Sequence, residues 1–185
     1  RLASDLNEKT GCPESIVKNG AELLKAPCSV SVFYDDRGAW GEDVWEEKKL
    51  GIFETVKSCV IEANPLRGVV RVLLGYGSSE LRIDYILEKG SDVLKMDMRL
   101  HNMEKHRQIS LCVPVNVEEP DVRTETAFLA EHKIDCADKN CEHYQHRFAD
   151  ISSQGGTGIA VFNDSVYACQ QKESEYRLVL SRSSV

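Results

Sequence analysis

A period of two in hydrophobicity constrains this chain more than any other feature. Leu81, Ile83, Tyr85 and Leu87 alternate with Arg82, Asp84 and Ile86. Leu94, Met96, Met98 and Leu100 alternate with Lys95, Asp97 and Arg99, and Ile109, Leu111, Val113, Val115 and Val117 continue the pattern. Successive side chains of a strand point to opposite faces, so such runs bury one face and turn the other to solvent or to a second sheet. Segments 75–79 and 88–92 separate the runs and carry the glycine and serine chemistry of hairpin turns. Further strands are expected at 29–34, 51–62, 69–74, 125–131, 158–163 and 176–181. Pro13 to Val17 reads as the start of a short turn that Asn19-Gly20 ends, and the charged stretch 42–49 reads as helix or loop. Spacing of about ten residues per strand and turn is that of an antiparallel sandwich. The expectation is an all-β chain forming a large antiparallel β-sandwich, with residues 1–185 as one continuous domain.

Charge and cysteine usage narrow the function classes. The net charge of −7 argues against a nucleic-acid backbone as partner. No apolar run approaches the ~20 residues that span a bilayer, so no membrane partner is expected either. The first residue is Arg1, not Met, and the expectation is a piece excised from a longer protein. Seven cysteines is an odd count, irregularly spaced, and Cys59 and Cys112 sit inside apolar strand-like runs. There a reduced thiol packs as a small hydrophobe, so a reducing, cytoplasmic compartment is expected.

Several constellations bear on chemistry. Cys136, Cys141, His143 and His146 offer two thiols and two imidazoles, a donor set that zinc accepts. Their spacing is not that of a standard finger, and the surrounding Asp135, Asp138, Lys139 and Asn140 mark an exposed polar loop, so no metal site is assigned. Trp40 and Trp45 with Asp35, Asp36 and Asp43 combine aromatic faces and carboxylates, the residue types that hold sugars, and they equally suit packing in a long loop. The neighbouring acids Asp35-Asp36, Glu46-Glu47 and Glu118-Glu119 point to opposite faces if they lie on strands. Glycoside hydrolysis needs two carboxylates held across a sugar, and nothing in the sequence fixes such a pair. There is no Gly-x-Ser-x-Gly elbow. Gly155-Gly156-Thr157-Gly158 leads into a strand rather than a helix, so it is a loop and not a phosphate cradle. No catalytic residue is assigned.

The last forty residues carry the most specific signal. His146 to Ser152 resembles an "R-W-A-D-L-S" motif, with Phe148 where the motif has Trp. Gly158 to Tyr167, including Asn163-Asp164, resembles a glycine-led strand ending in "N-D-x-x-Y-G". Leu178 to Ser183 resembles a strand ending in "L-L-R-S". Upstream, Pro65 to Arg71 is similar to "G-P-L-R-x-x-V-R" and Glu104 to Arg107 to "E-K-H-K". In this order the motifs resemble the C-terminal β-domain of family 38 glycoside hydrolases, the α-mannosidases. The resemblance implies a galactose-mutarotase-like supersandwich, incomplete in this stretch, that packs behind an N-terminal catalytic domain of the same chain. It implies a parent enzyme that hydrolyses α-mannosides with retention, its aspartate nucleophile and zinc lying in that catalytic domain. Asn163, Asp164, Tyr167 and Arg182, with Trp40, are then the residues expected to contact substrate, and the chain alone is expected to be inactive. Arg182→Ala is expected to lower activity with little change in melting temperature. The other reading is a stand-alone carbohydrate-binding or structural β-sandwich module.

Overall fold

The computed structural model describes residues 2–36, 47–133 and 142–183. Strands account for all the regular structure among them, and they group into four antiparallel sheets. The first sheet comprises β1 (Leu2–Leu6), β2 (Pro13–Lys18) and β3 (Ala21–Glu22) in the order β1-β2-β3. Pro13 to Val17 is therefore strand and not a helical turn. Asn19 and Gly20 both have positive φ, 53° and 86°, which is the two-residue turn whose twist suits a hairpin. A second sheet contains β4 (Ser29–Tyr34), β5 (Lys49–Ile52), β10 (Arg107–Pro114), β13 (His143–Tyr144), β16 (Ala168–Lys172) and β17 (Glu175–Ser183), in the order β13-β16-β17-β10-β4-β5.

Two four-stranded sheets complete the molecule. One is a meander of β6 (Glu54–Ala63), β7 (Arg67–Tyr76), β8 (Ser79–Glu88) and β9 (Leu94–His101). The other orders β12 (Ala130–Lys133), β11 (Asp121–Glu125), β14 (Phe148–Ser152) and β15 (Gly158–Phe162). The expected strand 51–62 is divided at Phe53, which is fully buried and whose N–H donates to the Val30 carbonyl at 2.8 Å. The expected strand 125–131 falls on the tip of the β11–β12 hairpin.

The sandwich expectation is corrected. The sheets form a propeller-like ring of four small blades, not two stacked layers and not a supersandwich. Alternation along a strand decides which side chains are buried, whereas the number of sheets depends on which strands pair, and that information is non-local. The alternating runs themselves behave as expected: Leu81, Ile83 and Tyr85 are buried, as are Ile109, Leu111 and Val113. All four sheets send apolar side chains into one core. Leu24 and Cys12 come from beside the first sheet, Val30 and Tyr176 from the second, Val72 and Leu74 from the third and Val122 and Ile151 from the fourth. Burying such side chains stabilises the fold by about 1.5–3 kcal/mol each, so this shared core holds the ring together.

Candidate functional site

The six-stranded sheet is buried on both faces, one apolar and the other mixed. On β10, Ile109, Leu111 and Val113 enter the core, while Gln108, Ser110 and Cys112 point the other way and are buried too. Register places Gln108 beside Phe33 on one neighbouring strand and beside Arg182 on the other. Gln108 Nε2 donates to Gln170 Oε1 and to Ser110 Oγ, each at 3.2 Å. Buried polar groups are costly unless bonded, so this row is a deliberate polar layer.

Arg182 is the strongest element of that layer. Its Nε donates to Asp35 Oδ2 at 2.6 Å and its Nη2 to Asp35 Oδ1 at 3.1 Å, a bidentate pair that reaches across β10. Asp35 follows β4 and its side chain is wholly buried, whereas Asp36 is exposed and accepts a 3.4 Å bond from the Tyr34 hydroxyl. Of these two neighbouring acids, one is therefore buried and the other exposed, just beyond the end of β4. The Asp35 carboxylate, bonded directly to the guanidinium, holds the Arg182 pKa above its ordinary value. Nη1 forms a looser ion pair with Glu142 Oε2 at 3.7 Å, and the side chain as a whole is about one quarter exposed. A guanidinium has five N–H donors, so Arg182 keeps planar donors after Asp35 has taken two.

A second buried ion pair lies deeper in the same layer. Arg177 donates to Glu175 Oε1 at 2.5 Å and to Glu47, and lies 4.9 Å over the Phe33 ring. Burial opposes its charge, but Glu175 and Glu47 outweigh burial and keep the group above its ordinary range.

Asn163, Asp164 and Tyr167 lie in the turn between β15 and β16. Antiparallel register pairs Cys169 with Leu178, so the turn lies toward the end of the sheet where β17 finishes with Arg182. Of the five residues expected to contact substrate, Asn163, Asp164 and Tyr167 thus lie in this turn and Arg182 near the end of β17, while Trp40 lies outside the described residues. Asn163 is occupied on both sides of its amide. Its Oδ1 accepts from Val166 N at 2.9 Å and its Nδ2 donates to the His146 carbonyl at 3.1 Å, so it builds the turn. Asp164 accepts only a local bond from Ser165 Oγ at 3.1 Å among the bonds the structure shows for it. Tyr167 is 61% exposed and meets the His146 ring edge-on with centroids 6.5 Å apart.

Gln145 supports the turn from beneath. Its N–H donates to the Tyr167 carbonyl at 2.9 Å and its Oε1 accepts from the Tyr176 hydroxyl at 2.5 Å. Burial raises the Tyr176 pKa well above its ordinary value, so the phenol stays a donor. No local pattern in the sequence links Asp35 to Arg182 or Gln145 to Tyr176, because each pair meets only through strand order.

Trp40, Trp45 and Asp43 lie outside the described residues, as do Cys136 and Cys141. Among the described residues no three His, Cys, Asp or Glu side chains converge as metal ligands. An open groove elsewhere is lined by Asn64, Leu66, Arg67 and Glu88, and its polar groups serve its own turns: Asn64 Oδ1 accepts from Leu66 N and Arg67 N, each at 2.9 Å.

The sequence matches the model of the glycosyl hydrolases family 38 C-terminal domain over residues 2–185, and the chain belongs to that family. Its structure is similar to an alpha-mannosidase from Enterococcus faecalis V583, with a TM-score of 0.80 and 11% identity, covering 98% of this chain and 25% of that one. It is also similar to a protein in glycosyl hydrolase family 38 from Enterococcus faecalis, with a TM-score of 0.81 and 10% identity, covering 98% of this chain and 26% of that one. At such identities the likeness is one of fold, and the chain spans about a quarter of the length of these relatives. No curated protein sequence matches it.

Proposed function

We propose that this chain is the non-catalytic β-domain of a retaining α-mannosidase. In this reading the domain supports an N-terminal catalytic domain of the same polypeptide, which carries the aspartate nucleophile and the zinc that grips sugar hydroxyls. The cysteine pattern favours a reducing compartment for the parent protein.

The observation that carries the reading is the brace on Arg182. Asp35 fixes the plane of the guanidinium, and the remaining nitrogen, Nη1, lies 3.7 Å from Glu142 Oε2 on a side chain that is still one quarter exposed. A pre-oriented planar donor can bond a sugar hydroxyl with little further loss of side-chain freedom. Tyr167 adds an aromatic face for sugar C–H groups, while Asp164, and Trp40 in the same proposal, add an acceptor and a second face. Asn163 contributes by holding the turn.

The test uses an aryl α-mannoside. The 185-residue chain alone is expected to give no turnover, while the full-length protein hydrolyses the substrate. In the full-length protein Arg182→Lys is expected to lower kcat/KM about tenfold, the loss of one charge-assisted hydrogen bond. Turnover by the chain alone overturns its non-catalytic role, and an unchanged kcat/KM removes Arg182 from the site. Calorimetric binding of a mannoside by the isolated chain would instead favour a stand-alone carbohydrate-binding module.

A further inference from the structure

The β11–β12 hairpin ends in Thr126-Ala127-Phe128-Leu129, and its two apolar residues face water. Phe128 is 99% exposed and Leu129 60%. The tip is braced: Thr126 N and Oγ1 both donate to the Leu129 carbonyl, at 2.9 and 3.1 Å. Its base is clamped as well. Glu125 accepts from Arg147 N at 2.9 Å, Nε at 3.2 Å and Nη2 at 2.8 Å, and the Glu125 carbonyl accepts from His146 N at 2.8 Å. Tyr144, itself largely exposed, donates to Glu131 on β12 at 3.3 Å, and Tyr167 stands against His146. Single exposed apolar residues are ordinary, but an apolar tip held rigid beside two exposed tyrosines and a charged clamp is not. Aromatic anchors with a polar surround are the composition of an interface.

We infer that this hairpin tip is an anchor that seats Phe128 in a pocket on the N-terminal domain of the same polypeptide. The inference rests on family membership, not on the proposed mannosidase activity. The matched model is that of a C-terminal domain, and the chain covers only 25% and 26% of its solved relatives. A covalently linked domain is present at high effective concentration, so one apolar anchor and a polar rim suffice where separate proteins would need a larger surface. The tip also belongs to the residues around His146 and Tyr167, which places the contact beside the candidate site. The other exposed apolar set, on β6, has an internal explanation. Its register shifts around Val56 and Ile61, and Glu54, Lys57 and Glu62 add charge, which is how a free edge strand is blunted.

Hydroxyl-radical footprinting of the full-length protein tests this, read by mass spectrometry on the monomeric fraction without substrate. Phe128 is expected to be modified severalfold more slowly in the folded protein than in the same protein unfolded in urea, while Leu66 changes little. Phe128→Ser is expected to lower the melting temperature of the full-length protein by about 2–4 °C, and Val60→Ser is not. Equal modification of Phe128 in the folded and unfolded protein overturns the inference. So does protection found only in an oligomeric fraction, where a second copy supplies the cover. Because no substrate is used, a protein inactive on mannosides leaves the result readable.

Discussion

The Asp35–Arg182 pair makes a single residue answerable for both stability and site geometry. Asp35 is buried, so Arg182→Ala removes two charge-assisted hydrogen bonds from a carboxylate in the interior. Such a variant is expected to lose about 3 kcal/mol or more, against the little change in melting temperature expected from the sequence for a substrate-contacting arginine. The double change Asp35→Asn with Arg182→Gln is expected to recover much of that loss, and denaturant unfolding of the two variants checks it. Asp84 gives a second prediction. Arg71 donates to it twice, at 2.7 Å each, and holds its carboxyl below the ordinary value of 3.8. The folded chain therefore binds this proton less readily than the unfolded chain. The stabilisation is complete above 3.8 and is lost as pH falls below it toward the depressed folded value. Asp84→Asn is expected to flatten the acid limb of a stability–pH curve below about pH 4, and to cost about 2 kcal/mol near neutral pH.

Elements are held in place by a few residues with no alternative. The β14–β15 hairpin turns through Gly156, at a φ of 78°, and then runs Gly158 directly against the backbone of Ile151 and Ser152. A Cβ at Gly158 would overlap the Ile151 carbonyl oxygen, and main chain cannot swing aside as a flexible side chain can. Gly158→Ala is expected to cost about 1–3 kcal/mol, and Gly156→Ala, which meets open space and pays only for its φ, about 1–2 kcal/mol. Thermal unfolding of both variants orders them. The stretch 155–158, three glycines and a threonine, is thus a hairpin device, as its position before a strand suggests.

At the scale of the molecule, the sequence reports strands far better than it reports their partners. Ser29–Tyr34 coincides with β4 because Val30 and Val32 alternate with Ser29 and Ser31, and the long runs in β8, β9 and β10 are legible for the same reason. The short strands β1, β3, β12 and β13 have too few residues for a period to show. Residues 126–129 look like strand because Phe128 and Leu129 are apolar, although they stand at a turn in water. Sheet membership is hidden altogether: β4 pairs with β10, and β10 with β17, across most of the chain. The site shares this division. Asn163, Asp164, Tyr167 and Arg182 are visible as family-like motifs, whereas Asp35 and Gln145 acquire their roles only when distant strands meet.

The position of β17 has a consequence for synthesis. It follows its neighbours β16 and β10 in sequence, yet it lies inside the sheet between them. Until it emerges from the ribosome, β10 offers an unpaired edge, Gln145 lacks the Tyr176 hydroxyl and Asp35 lacks its arginine. The nascent sheet therefore stays incomplete and adhesive until this strand is made. Chaperone demand should peak just before β17 is released, and a premature stop there would be read by the cell as a misfolded protein rather than a shortened one.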